Sequence, residues 1–363
     1  MNLSLKHGGN VWEAGRESHR RFDRFLDFSS NINPWGPPPG VREALQRGLN
    51  KIIYYPDPDY IRLKEVLAKF LEVDPASILV GNGLSQIIDL VTRLQGLREA
   101  VILNPTYREY EFSCLKSRLP VRNLKLREKN NFELEAEKFY EILDKKKESL
   151  IFFCNPNNPT GTLIPRPFFE GLLKKVLSKR HWLVVDEAFI DFSPRGRGDS
   201  LMPLVNKYPG LVVLWSLTKI FSIPGLRLGV AVANKKIIKK FEKIVSPWSV
   251  NIMAEEAALV SLNDKVFLEK TRQWIKRERE YLFINLKRFN SLKVYPSQAN
   301  FFLLKIMAKN MSAGKLAKAL FAHKILIRDC SNFRSLDEHF FRVAIKDRAS
   351  NRRLISALTK HLD

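Results

Sequence analysis

The sequence predicts an α/β protein, with a mostly parallel central sheet flanked by helices and a small α+β domain beside it. Three observations lead there. Short apolar runs near 78–81, 100–104, 149–154, 182–186, 211–216 and 228–233 read as buried strands. Helical stretches such as 84–95 and 166–179 alternate with them. Turn residues and polar side chains gather where several of these runs end, which is where ligands bind in open α/β sheets.

Taken in order, the run at 78–81 continues as Gly81-Asn82-Gly83-Leu84-Ser85-Gln86, which reads as strand, glycine turn and helix start. Backbone N–H groups at such a helix N-terminus suit a phosphate dianion. The run at 100–104 leads into Asn-Pro-Thr-Tyr107. The run ending at Cys154 passes into the turn Asn155-Pro-Asn157-Asn158-Pro-Thr-Gly161, and 182–186 ends on the carboxylate of Asp186. After 211–216 comes Ser216-Leu-Thr218-Lys219-Ile-Phe-Ser-Ile-Pro-Gly225-Leu-Arg227-Leu-Gly229, and 228–233 closes the large set. Pro247-Trp-Ser-Val-Asn251 opens an amphipathic helical stretch toward 290. Strands at 300–306, 325–328 and 340–345 build the small domain within 294–345. The expected division is an N-terminal segment 1–45, a large domain 46–246 and a C-terminal domain 247–363.

Lys219 carries the most chemical information. A lysine that forms a Schiff base must lose its proton, and a hydrophobic pocket or a nearby cation helps it do so. Chemistry with pyridoxal 5'-phosphate (PLP) needs such a lysine, a phosphate cup and a carboxylate facing the pyridine nitrogen. Ser216, Thr218 and Arg227 can supply part of the cup, and Asp186 is placed to be the carboxylate.

Together and in this order, these motifs resemble the fold-type I PLP enzymes of the class I/II aminotransferase superfamily, from about residue 27 to residue 345. The resemblance implies that Lys219 binds the cofactor covalently and that Asp186 partners its ring nitrogen. It makes Asn158 the donor to the ring hydroxyl, Ser216 and Arg227 phosphate ligands, and Tyr107 the ring that stacks on the cofactor. Gly83, Leu84 and Ser85 resemble the phosphate-binding loop. Many relatives carry Tyr in Asp-Glu-Ala-Tyr, where this chain has Phe189. The superfamily further implies a homodimer, in which Tyr55 reaches the partner subunit's cofactor phosphate.

Within the superfamily, the amino terminus narrows the resemblance. His7-Gly8-Gly9-Asn10, followed by Asp27-Phe-Ser-Ser-Asn31-Ile-Asn33-Pro, resembles the L-threonine-O-3-phosphate decarboxylase family of cobalamin biosynthesis. Histidinol-phosphate aminotransferases share the central motifs but generally lack the His-Gly-Gly start, and they remain the alternative. A phosphorylated amino acid presents a carboxylate and a phosphate, both suited to arginine's planar fork. Arg342 in the strand-like Phe-Phe-Arg-Val-Ala-Ile and Arg328 after Ile-Leu-Ile are the candidates, with His7, Gly8, Asn31 and Asn158 beside them.

Composition fits a folded enzyme, since a hydrophobic content of 45% supplies a large core. Met1–Asn10 holds no apolar core, so no secretory signal is expected, and the apolar stretch 211–233 is interrupted by Lys219, Pro224 and Arg227. Cys114, Cys154 and Cys330 lie far apart without CxxC spacing, which points to a reducing cytoplasm and no zinc or other metal site. The net charge of +23 raises a nucleic-acid partner as a third reading. The basic residues are spread through Lys145–Lys147, Lys235-Lys236 and Arg352-Arg353 without an interleaved aromatic patch. A basic surface that attracts an anionic cofactor and substrate is the expectation; a nucleic-acid or membrane partner is not.

Overall fold

The computed structural model describes residues 8–143, 148–177 and 181–362. Its centre is a seven-stranded sheet in the order β2 (Ile78–Asn82), β8 (Leu228–Ala233), β7 (Leu211–Ser216), β6 (Trp182–Asp186), β5 (Ser149–Cys154), β3 (Glu99–Asn104) and β4 (Val121–Lys125). Strands β7, β6, β5, β3 and β4 run parallel, while β8 is antiparallel to both of its neighbours. Side chains alternate across a strand, so each apolar run feeds two cores. Ile151, Phe153, Leu183, Val185, Val213 and Trp215 face one helical layer that includes Leu172, Leu173 and Val176. Leu150, Phe152, Val184, Val212 and Leu214 face the other, with Ile87, Ile88 and Phe241. Burying such a side chain contributes about 1.5–3 kcal/mol, and this two-sided burial is why the strands read as unbroken apolar runs.

All six expected strands of the large sheet are present. The seventh, β4, is an edge strand with polar Arg122, Asn123 and Lys125, so it lacks the apolar run that marks the others. The helical stretch near 84–95 is the helix Gly83–Val91, and 166–179 is Arg166–Leu177 in its described part. The stretch from 247 to 290 divides into two helices, Ile252–Ser261 and Lys265–Leu286. Each starts on a side-chain cap: Asn251 Oδ1 accepts from the Ala254 N–H at 2.9 Å and Asp264 Oδ1 from the Phe267 N–H at 2.8 Å.

A second sheet has the order β12 (Arg328–Asp329), β13 (Phe340–Ala344), β10 (Phe301–Ile306) and β9 (Leu292–Val294), all antiparallel. The expected strand 325–328 does not form as one piece. Ile325–Leu326 (β11) pairs in parallel with β1 (Leu26–Asp27), while Arg328 and Asp329 belong to the four-stranded sheet. The chain passes between sheets at Ile327, and that switch ties the N-terminal segment to the second sheet. No helix among the described residues is long and apolar enough to cross a membrane.

Candidate active site

The carboxyl ends of β5, β6 and β7 lie side by side, and the turns that follow them carry the polar groups. After β5, Asn155 closes a side-chain ring with Ile164: its Nδ2 donates to the carbonyl at 3.1 Å and its Oδ1 accepts the N–H at 2.8 Å. Asn157 donates to Pro105 O at 2.9 Å and Thr160 Oγ1 at 2.8 Å, and accepts from Thr106 Oγ1 at 2.7 Å. Gly161 has φ of +75°, and a Cβ there would stand 2.1 Å from Ser297 Oγ, so the turn requires glycine. These residues build the turn, and Asn158 is left lining the cavity.

Asp186 ends β6, buried at 3% exposure. Its Oδ2 accepts the Tyr110 hydroxyl at 2.7 Å and its Oδ1 the Ala188 N–H at 2.9 Å. Burial raises the carboxyl pKa; the two donors and the charge of Lys219 oppose the rise. Lys219 lies on the short helix Leu217–Ile220 that follows β7. Its pKa is lowered to about 8, first by desolvation and then by the charges of Arg227 and Arg342, against the pull of Asp186. A neutral amine is therefore within reach near neutral pH, as a covalent cofactor lysine needs.

The phosphate-type corner is formed by close packing. The helix Gly83–Val91 has no side-chain cap on its first N–H groups. Strand β8 presses on this end: a Cβ on Gly229 would lie 2.7 Å from Leu84 N. Gly83 has φ of +71°, and a Cβ there would meet the Arg227 guanidinium at 2.4 Å. Ser216 and Thr218 share a hydrogen bond of 2.8 Å beside this corner. Uncapped N–H groups, two hydroxyls and a guanidinium form a donor set that fits a phosphate dianion. With Lys219 and Asp186, the residues present fit PLP.

The opposite wall comes from remote segments. Arg342, on β13 and buried, donates through Nη1 to Asn158 Oδ1 and through Nη2 to Ser29 O at 2.7 Å, while its Nε has no partner among the described residues. Arg328 lies directly across from Arg342 in the β12–β13 register. Its Nη1 donates to Asp329 O and its Nη2 to Asn332 Oδ1, both at 2.8 Å. Burial lowers the pKa of both arginines. The buried Asn31 Oδ1 also lacks a donor among the described residues. Asp27 accepts from Ser29 and Ser30, and Ser29 Oγ accepts the Gly9 N–H at 2.7 Å. That contact draws the N-terminal segment across the opening.

One cavity of about 190 Å3 is lined by Gly8, Asn31, Gly83, Leu84, Ser85, Tyr107, Asn158, Asp186, Ser216, Thr218, Lys219, Arg227, Arg328 and Arg342. Among the described predicted site residues, Tyr55 does not share it, and His7 lies outside the described residues. Tyr55 is 77% exposed and stacks on Trp248 at 4.6 Å, apart from this cavity. Ser29, Ser30, Arg108, Cys154 and Phe333 line the cavity without having been singled out, and Tyr110 supports it from behind. Tyr110 lies in the first turn of the helix Glu109–Lys116, and no spacing in the sequence marks its reach to Asp186.

Residues 23–358 match the model of the aminotransferase class I and II family, and the chain belongs to that family of PLP enzymes. Among its relatives is the threonine-phosphate decarboxylase of Salmonella typhimurium, 38% identical over 353 residues that span 97% of this chain and 95% of the relative. Two solved structures share the fold. The histidinol-phosphate aminotransferase of Clostridium acetobutylicum is 34% identical, with a TM-score of 0.86 over 92% of this chain and 98% of that one. The L-threonine-O-3-phosphate decarboxylase of Porphyromonas gingivalis is 30% identical, with a TM-score of 0.81 over the same 92% and 98%.

Proposed function

We propose that this chain decarboxylates L-threonine O-3-phosphate to (R)-1-amino-2-propanol O-2-phosphate and CO2, a step of cobalamin biosynthesis in the cytoplasm. The observation that carries the reading is the composition of the remote wall. Arg328, Arg342, Asn31 and the strap at Gly8 line the same cavity as Lys219. Such a wall suits a small substrate with two anionic groups. The 38% identity to a threonine-phosphate decarboxylase supports the same choice.

PLP, when bound, supplies an electron sink for the pair released at Cα. Lys219 would hold the cofactor covalently and, as a free amine, would carry the proton destined for Cα. Asp186 would face the ring nitrogen and favour its positive charge, and Asn158 would donate to the ring hydroxyl. Gly83, Leu84, Ser85, Ser216, Thr218 and Arg227 would hold the cofactor phosphate, and Tyr107 would pack on the ring. Arg342 and Arg328, with Asn31, Gly8 and His7, would bind the substrate's carboxylate and phosphate and so orient its Cα–carboxylate bond. That orientation selects decarboxylation, because the catalytic pair alone serves either reaction.

The working enzyme in this reading is a homodimer in which segments 1–45 and 247–363 close over the body 46–246. Leu49, Ile52, Ile53, Tyr54, Tyr55 and Ile61 form an exposed apolar run of sequence suited to a subunit contact, with Tyr55 reaching the partner's cofactor phosphate. A second reading, transamination of histidinol phosphate, draws on the structural match to the aminotransferase of Clostridium acetobutylicum. Product analysis with phosphothreonine, with and without a 2-oxoacid, separates the two. CO2 released without an acceptor supports decarboxylation. Transamination of histidinol phosphate with no CO2 from phosphothreonine overturns it.

A further inference from the structure

A buried carboxylate that must stay charged needs donors, and those of Asp186 come from two places. The Ala188 N–H is local, two residues along the chain. Tyr110 arrives from the helix Glu109–Lys116, 76 residues away in sequence, to place its hydroxyl 2.7 Å from Oδ2. Its ring is fully buried and held on two sides. It stacks on Phe152 at 4.9 Å and 9° between planes, and meets Tyr107 edge-on at 5.6 Å and 84°. Burial and the Asp186 charge push the phenol pKa well above its usual value, so the hydroxyl remains a donor. Phe189 offers no hydroxyl and instead packs edge-on against Phe301 at 5.1 Å.

We infer that Tyr110 is a positioning residue, whose hydroxyl keeps Asp186 charged and turned toward the ring nitrogen of the cofactor. The inference rests on the assignment of Asp186 as the ring-nitrogen partner. The local N–H holds one carboxylate oxygen and the phenol the other, so rotating the carboxylate breaks one bond or both. Its plane is thus set before any ring arrives, which is the form electrostatic preorganisation takes. Deleting the hydroxyl leaves the buried Oδ2 with one donor fewer. Protonation of Asp186 then becomes easier, and a neutral carboxyl holds a pyridinium charge poorly.

The test compares three holoenzymes across pH: wild type, Tyr110→Phe and Asp186→Asn. The readings are cofactor content, the pH midpoint of the bound cofactor's visible absorbance change, kcat and KM. Tyr110→Phe is expected to retain cofactor, shift the midpoint upward and lower kcat by about tenfold, with KM within about threefold. Asp186→Asn shifts the midpoint the same way and loses more activity. An unmoved midpoint in Tyr110→Phe beside a collapsed Asp186→Asn overturns the role of Tyr110 alone, even if kcat falls, since a fall without the shift is packing damage. An unchanged Asp186→Asn overturns the assignment of Asp186 and the inference with it. Should Tyr110→Phe fail to fold, 3-fluorotyrosine at position 110 keeps the ring and gives a stronger donor. It moves the midpoint downward if the inference holds, and leaves it unmoved if it does not.

Discussion

The wall of the cavity that carries Asn158, Asp186 and Lys219 grows from the ends of three neighbouring strands of one buried sheet. The wall that carries Arg328, Arg342 and Asn31 is joined across the length of the chain, with Arg342 bonding to Ser29 over 313 residues. The first wall inherits its rigidity from a seven-stranded core. In the second, Arg328 lies on a two-residue strand pair, β12 with β13, and another such pair, β1 with β11, holds the N-terminal segment; Arg342 is better anchored, since β13 also pairs with β10 over five residues. Regions held by few contacts open at lower free energy than a core. On the proposed reading, chemistry is thus fixed to the stiff wall, and the choice of bond and substrate is left to the softer one.

That division can be broken by substitution, and the largest effect belongs to the stiff wall. Lys219→Ala should abolish turnover and covalent cofactor attachment, and borohydride reduction with peptide mapping should label Lys219 in the parent enzyme. Arg342→Ala comes next, on the soft wall. It strands Asn158 Oδ1 and Ser29 O, and losing such a buried charged donor costs roughly 2–5 kcal/mol, on the order of a hundredfold or more in kcat/KM. Arg342→Lys should not restore it, because a point charge cannot reproduce the fork. Cofactor retained with kcat/KM unchanged in Arg342→Ala would erase the distinction between the walls.

Arg227→Ala should raise the cofactor dissociation constant by roughly ten- to a hundredfold, the scale of a charge-assisted hydrogen bond, measured by equilibrium dialysis. Gly8→Ala should cut CO2 release by about tenfold, the usual range of misorientation, with cofactor content unchanged. The added Cβ would stand 2.2 Å from Ser29 O, so the strap must lift.

The smallest effect probes how the walls communicate. The Lys219 pKa is depressed from 10.5 to about 8, so the neutral, reactive amine grows as pH rises through about 8 and falls below it. Cofactor reloading of the apoenzyme, followed by stopped-flow absorbance, should rise with pH across that midpoint. The Arg342 charge contributes to the depression, so Arg342→Ala should move the midpoint upward. No movement would make the two walls electrostatically independent.

The same contrast governs what could be read without a structure. Asp186, Asn158 and Lys219 each follow an apolar run, so strand periodicity alone places them at strand ends. Six of the seven strands were legible because burial on both faces writes itself as unbroken hydrophobicity, the edge strand β2 included. Edge strand β4 was not, because it carries the polar residues Arg122, Asn123 and Lys125. Arg328 and Arg342 were legible as arginines behind apolar residues, yet the split at Ile327 was not, since no local pattern records a change of sheet. Tyr110 and Ser29 act through partners 76 and 313 residues away, and sequence spacing says nothing about such distances.

The register that sets Arg328 opposite Arg342 bears on how this protein is handled at the bench. Like charges directly opposite in a sheet destabilise it, by roughly 0.2–1 kcal/mol in the range of cross-strand pairs. An anion seated between the two guanidinium groups removes that repulsion and adds bonds of its own. Inorganic phosphate or sulfate should therefore raise the melting temperature above its value in chloride at equal ionic strength. On the proposed reading the same ions compete for the substrate's place, so a phosphate buffer chosen to keep the enzyme sound in storage should slow it in the assay.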